Sequence, residues 1–175
     1  MARLGLVDLA LMDPIDRATV ETEVARACWG PDDAATREAL TTGHIEEAAR
    51  QLTTGGPSRW TGVLIEGLNH RSAARMQLGN IADALVDANR AAQLADDAGT
   101  TFLLTRVMMG QAMINSTLGN WDEAERLSNE AVSLSGRHNL LLAQMAITYS
   151  IGRDRGQQAE LAQLEHRLGG FVDQN

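Results

Sequence analysis

Four histidines, a single cysteine and the adjacent acids Glu46-Glu47 and Asp122-Glu123 are the residues here whose types could do chemistry. His44, His70, His138 and His166 could ligate a metal, but none has a second His or Cys at ligand spacing, so no metal site is expected. Cys28 would need a lowered pKa and a neighbouring base to act as a nucleophile. It falls on the apolar face of a helical pattern and is expected in the core. Glu46-Glu47 and Asp122-Glu123 have the residue types for general acid–base work. Both pairs read instead as first-turn residues of helices, where negative charge favours the helix dipole. The phosphate-cradling P-loop, the Gly-x-Ser-x-Gly elbow and a Gly-x-Gly-x-x-Gly after a strand are all missing from the sequence. The expectation is a non-enzyme with no catalytic residues and no cofactor.

Binding chemistry is better represented. Met108, Met109 and Met113 cluster at helical spacing. Methionine at such spacing usually fills a core, yet its flexible thioether also suits adaptable binding surfaces. Arg71 and Arg75 form a basic pair at i, i+4, read as a solvated or internally paired face. The formal net charge of −8 argues against nucleic acid or an anionic membrane as partner. Aromatic residues are only 3%, too few for base-stacking platforms. Every basic residue is Arg and none is Lys, which with abundant Ala and Gly points to a GC-rich bacterial source. The lone cysteine fits a reducing compartment. No stretch reads as a membrane span or signal peptide, so a cytoplasmic location is expected.

The elements that must position these residues are announced by a repeat. Gly119-Asn120-Trp121-Asp122-Glu123-Ala124 has a second copy at Gly79-Asn80-Ile81-Ala82-Asp83-Ala84 and a third at Gly43-His44-Ile45-Glu46-Glu47-Ala48. The copies are spaced 36 and 40 residues apart, a period that marks arrays of helical hairpins. Each copy reads as a turn between two helices. Gly closes the first helix in a left-handed conformation. Asn or His caps the second, the large apolar residue packs back, and Ala allows close helix approach. The following residues fall at helical offsets, as in Ile81, Ala84, Leu85, Ala88 and Ala91.

Along the chain, Asp13-Pro14 reads as a helix start with Asp13 as cap. A short helix is expected from 31–33 to Thr42 and its partner from His44 to Leu52, with a break at Gly55-Gly56-Pro57-Ser58. Ser58 or a neighbour caps a long helix to Leu78. Further helices are expected over 80–95, 101–118 and 121–135, with Gly110 permitting a close helix contact. A last hairpin spans 140–151 and 157–168. The apolar stretch 4–12 is the candidate contact for a homo-oligomer.

The Leu-Gly-x-[Trp/Ile]-x-[Glu/Asp]-Ala pattern, with Ala91 and Ala131 at the next small position, resembles the tetratricopeptide repeat over residues 65–98 and 105–138. The family's Pro at the repeat end is replaced by Asp96 and Gly136, and its first-helix Gly and Tyr by Ser72 and Ala112, then Arg75 and Asn115. The 40-residue spacing exceeds the usual 34. It is similar to the divergent repeats of large bacterial MalT-like, LuxR-type transcriptional regulators. The resemblance implies an all-α fold, a right-handed α-α superhelix of about four helical hairpins. Residues 1–30 would be a helical segment ending a preceding repeat, 31–168 the repeats, and 169–175 a mobile tail. It further implies a concave groove lined by first helices: Glu66, Asn69, Ala73, Met76 and Gln77 from one repeat, and Arg106, Met109, Met113, Ser116 and Thr117 from the next. The implied function is protein–protein interaction or ligand sensing, in signalling or transcription regulation. The partner would be a protein or peptide, or else a small ligand. The competing expectation is a self-association module.

Overall fold

The computed structural model describes residues 12–27 and 33–135. They form six helices: α1 (Pro14–Ala27), α2 (Ala34–Thr53), α3 (Trp60–Gln77), α4 (Ile81–Asp97), α5 (Thr101–Thr117) and α6 (Trp121–Ser135). No strand occurs among the described residues. The expected hairpin over 140–168, the apolar segment 4–12, the tail, Cys28, His138 and His166 lie essentially outside them.

Each helix packs against the next, and the alternate helices α1, α3 and α5 also touch in succession. The architecture is an all-α array of helical hairpins. Its burial pattern follows from this layering. α4 and α6 bury single stripes, Ala84, Asp87, Ala88, Ala91 and Ala95 in one and Ala124, Leu127, Ser128 and Ala131 in the other. α3 is covered on several sides and buries Trp60, Val63, Leu64, Ile65, Leu68 and Ala74 together with Gly67, His70 and Ser72. The main core joins Ile15 and Ala18 of α1, Ala48 of α2, the α3 residues from Trp60 to Leu68, Ala91 and Ala95 of α4, and Val107 of α5. A second cluster lies between α5 and α6.

α1 begins as its sequence predicts: the Ile15 amide donates to the Asp13 carboxylate at 3.0 Å. The helix ends at 79 and 119 also match expectation. Gly79 has φ +82° and Gly119 has φ +76°, a region that side chains with Cβ avoid. Around each, the amide after the glycine donates back to the carbonyl five residues earlier, Asn80 to Arg75 at 2.8 Å and Asn120 to Asn115 at 2.9 Å. This is a Schellman closure, which satisfies carbonyls the helix end would leave bare. The ends of α2 and α4 close the same way, with Gly55 and Gly99 as the left-handed residues.

Three expectations are corrected. The first concerns Gly43, which closes nothing. It lies inside α2, with a φ in the ordinary range and open space where a Cβ would stand. The expected pair of helices, one to Thr42 and one from His44, is a single helix. Its buried residues Ala34, Arg37, Thr41, His44 and Ala48 run at alternating spacings of three and four straight through the glycine. A continuous buried stripe facing α1 and α3 outweighs the roughly 1 kcal/mol that an interior glycine costs. The second correction is that Asn80 makes no side-chain cap bond; only its backbone carbonyl serves the helix, accepting from the Ala84 amide at 3.0 Å. Asn120 directs Nδ2 to Asn115 Oδ1 at 3.3 Å, back into the preceding helix. The third is that Ser58 caps nothing through its side chain: α3 begins at Trp60, whose amide donates to the Pro57 carbonyl at 3.0 Å.

Candidate functional site: a cleft between α3 and α5

α3 and α5 stand at alternate places in the array and meet along one face. Between them lies a cleft of about 300 Å³. Asn69, His70, Ser72, Ala73 and Met76 line it from α3; Arg106, Met109, Gly110, Met113 and Ile114 line it from α5. Six of the residues expected in the groove are therefore brought together: Asn69, Ala73, Met76, Arg106, Met109 and Met113. His70, Ser72, Gly110 and Ile114 were not expected there, because the groove positions carried over from the repeat family skip them. Gly110 had a signal of its own, an interior glycine that permits close contact. A Cβ on it would stand 3.0 Å from Asn69 Oδ1, so the glycine is what gives the Asn69 amide its room.

The remaining expected residues serve other ends. Glu66 accepts from Arg106 Nη1 at 2.5 Å, bridging α3 and α5 at the rim of the cleft. Its other oxygen lies 3.5 Å from His70 Nε2. The Arg106 guanidinium also stands over the Phe102 ring, 5.7 Å from its centroid. Arg106 was expected to meet a partner's carboxylate; the structure gives it to Glu66. Gln77 accepts from Arg37 Nη2 and so faces α2 rather than α5. Ser116 belongs to the helix end, its carbonyl taking the Gly119 amide at 3.1 Å. Thr117 Oγ1 donates to the Met113 carbonyl at 3.0 Å and comes within 4.0 Å of Met76 Sδ.

The methionines divide between core and cleft. Met108 packs into the α5–α6 cluster with Ala112, Ala124 and Leu127. Met109 belongs to that cluster and also forms part of the cleft floor, 5% exposed. Met113 is 40% exposed and forms a wall. Which of three near neighbours reaches solvent depends on where α3 and α6 sit around α5, and helical spacing alone does not supply that.

On the opposite side of α3, an ion-pair knot ties three helices. Asp87 of α4, almost wholly buried, accepts both Arg71 Nε at 2.7 Å and Arg71 Nη2 at 2.8 Å, and also Arg75 Nη1 at 2.9 Å. Arg75 Nε reaches Glu38 of α2 at 2.9 Å. The hydrogen bonds to Asp87 raise the Arg71 pKa above its ordinary value, with burial partly opposing them. The Arg71/Arg75 pair is thus internally paired and holds α3 between α2 and α4.

His44, read from the sequence as a helix cap, is buried in α2 with Nε2 2.8 Å from Glu21 Oε2 of α1. A second, more polar cleft of about 420 Å³ lies there, lined by residues such as Arg17, Glu21, Leu40 and Glu47. Among the described residues no three His, Cys, Asp or Glu side chains gather as metal ligands, and no helix is long and apolar enough to cross a membrane. Comparison with protein-family models, curated proteins and solved structures finds no match to this chain.

Proposed function

We propose that this chain is a non-catalytic interaction or ligand-sensing module and that a partner docks in the cleft between α3 and α5. The observation that carries the reading is the cleft itself: a concavity with thioether walls and one amide, built on two helices rather than on loops. The Asp87 knot on one side of α3 and the Glu66–Arg106 bridge on the other hold its walls in place. A preformed surface loses little ordering entropy when a partner binds. The resemblance of 79–84 and 119–124 to tetratricopeptide turns supports the same reading, and the likeness to MalT-like regulators supports a regulatory role in bacterial transcription control.

The test is capture from a bacterial lysate, comparing the wild-type chain with Ala73→Glu plus Met113→Glu. Both positions line the cleft and neither belongs to the fully buried core, so the two baits should melt alike. Met109 is left intact because it supports the α5–α6 core. The expected result is a partner retained by the wild type alone. Identical retention by both baits would sink a protein partner in the cleft and leave only the small-ligand form of the reading.

A further inference from the structure

We infer that the α3–α5 cleft takes a small, uncharged, mainly apolar molecule that carries one amide or similar donor–acceptor group. The inference rests on the cleft being a docking site and adds the chemistry of what docks.

Three observations carry it. The first is size. About 300 Å³ is the lower end of the range for small-molecule pockets. The second is charge. The charged groups at the rim are spent on each other, since Arg106 donates to Glu66 at 2.5 Å and His70 lies 3.5 Å from the same carboxylate. A ligand carboxylate would have to displace Glu66 from Arg106, and a ligand ammonium would have to displace Arg106 from Glu66. A neutral ligand pays neither penalty. The third is polarity. Met76, Met109, Met113 and Ile114 supply adaptable apolar contact. Among them stands the Asn69 side chain, which makes no hydrogen bond among the described residues and faces the bare backbone of Gly110 across a gap that a Cβ would narrow to 3.0 Å. A primary amide offers both donors and an acceptor. Its complement is a group that also does both, as an amide does.

The test uses three chain-matched probes, N-butylbutanamide, octanoate and octylammonium, titrated into the full chain. Binding is read from the methionine methyl signals in a carbon–proton NMR spectrum, with Met109 and Met113 assigned by substitution. The expected result is saturable movement of the Met109 and Met113 signals with N-butylbutanamide and weaker movement with either ion. Asn69→Leu should weaken the amide about tenfold, the upper end for one lost hydrogen bond. Ala73→Phe should fill the cleft and abolish binding, while both variants melt like wild type. If octanoate or octylammonium binds better and Ala73→Phe abolishes that binding, the cleft is a ligand site but the inferred chemistry is wrong. If none of the three moves the signals, or Asn69→Leu binds the amide as wild type does, the inference is overturned. The docking reading itself would fall with it only if the lysate comparison also showed no difference.

Discussion

The same six-residue motif lies in two different settings, and the contrast separates what the motif does from what its surroundings decide. At 79–84 and 119–124 it turns the chain between two helices. At 43–48 it sits within α2 and turns nothing. Its later positions nonetheless behave alike. Ile45, Ile81 and Trp121 are partly buried against neighbouring core clusters. Ala48, Ala84 and Ala124 are all fully buried. Glu47 pairs with Arg50 at 2.6 Å and Glu123 with Arg126 at 2.7 Å, each acid with the Arg three residues on. The middle copy breaks this last rule: the residue three on from Asp83 is Val86, 65% exposed. The apolar and small positions are thus set by the helix that follows the glycine. The glycine's own role is set by the helix before it.

The largest expected effect concerns a position where the three copies all differ and only the middle one carries an acid. Eight residues after each motif glycine stand Gln51, Asp87 and Leu127. Asp87→Leu, which copies the last of these, should cost about 3 kcal/mol in urea unfolding, because it strands Arg71 in a partly buried site and leaves Arg75 with Glu38 alone. A loss under about 1 kcal/mol would mean the knot is not what joins α2, α3 and α4. Next come the shared alanines. Ala48→Leu, Ala84→Leu and Ala124→Leu should each cost about 1–3 kcal/mol by overpacking. Near-equal losses would sharpen the claim that this position has one role in all three copies; a tolerated Ala48→Leu would break it.

The glycines should then part company in sign. Gly79→Ala and Gly119→Ala should each destabilise by about 1–2 kcal/mol, since alanine is strained at positive φ. Gly43→Ala should stabilise by about 0.5–1 kcal/mol, since it gains helix propensity and meets nothing within 4 Å. Thermal melts of the three variants decide the point, and a destabilised Gly43→Ala would reinstate a turn there. A smaller gain, about 0.3 kcal/mol, is expected from Val86→Arg, which restores the missing acid–Arg pair beside Asp83.

The smallest effect is in pH. Hydrogen bonds from Arg50 and Arg126 hold the Glu47 and Glu123 carboxyls below their ordinary value of 4.5. A carboxylate depressed by folding adds stability that is complete above that ordinary value and fades as pH falls through the lowered one. The double variant Glu47→Gln plus Glu123→Gln should therefore lose less stability than wild type between neutral pH and acid. Both pairs lie at the surface, so the difference in unfolding midpoint should be small.

Much of the fold could be read directly from residue types. The Asp13 cap, the turns at Gly79 and Gly119, the helices following them and the close approach at Gly110 all follow from local chemistry. Six of the cleft residues were reachable because two successive hairpins place equivalent faces side by side. What could not be read has a common cause. Arg106 could serve a partner or a neighbouring carboxylate with equal local logic, and only the arrival of Glu66 from α3 decides. Asn80 and Asn120 have cap-forming side chains, but the backbone closures at Gly79 and Gly119 already direct their amides back into the preceding helix, and neither side chain caps the next one.

By itself the sequence determines that the chain is helical, that its helices carry one-sided stripes and that small residues stand where helices meet. Those properties are carried by spacings within a single helix. The tertiary structure alone decides that Gly43 is an interior residue, that Met113 reaches solvent while Met108 does not, and that the rim charges neutralise each other. Each of these depends on which surface of a neighbouring helix, remote in the chain, is presented. Glycine's backbone freedom and the reach of Arg and Met side chains leave several local outcomes close in energy. Packing against α3 separates them.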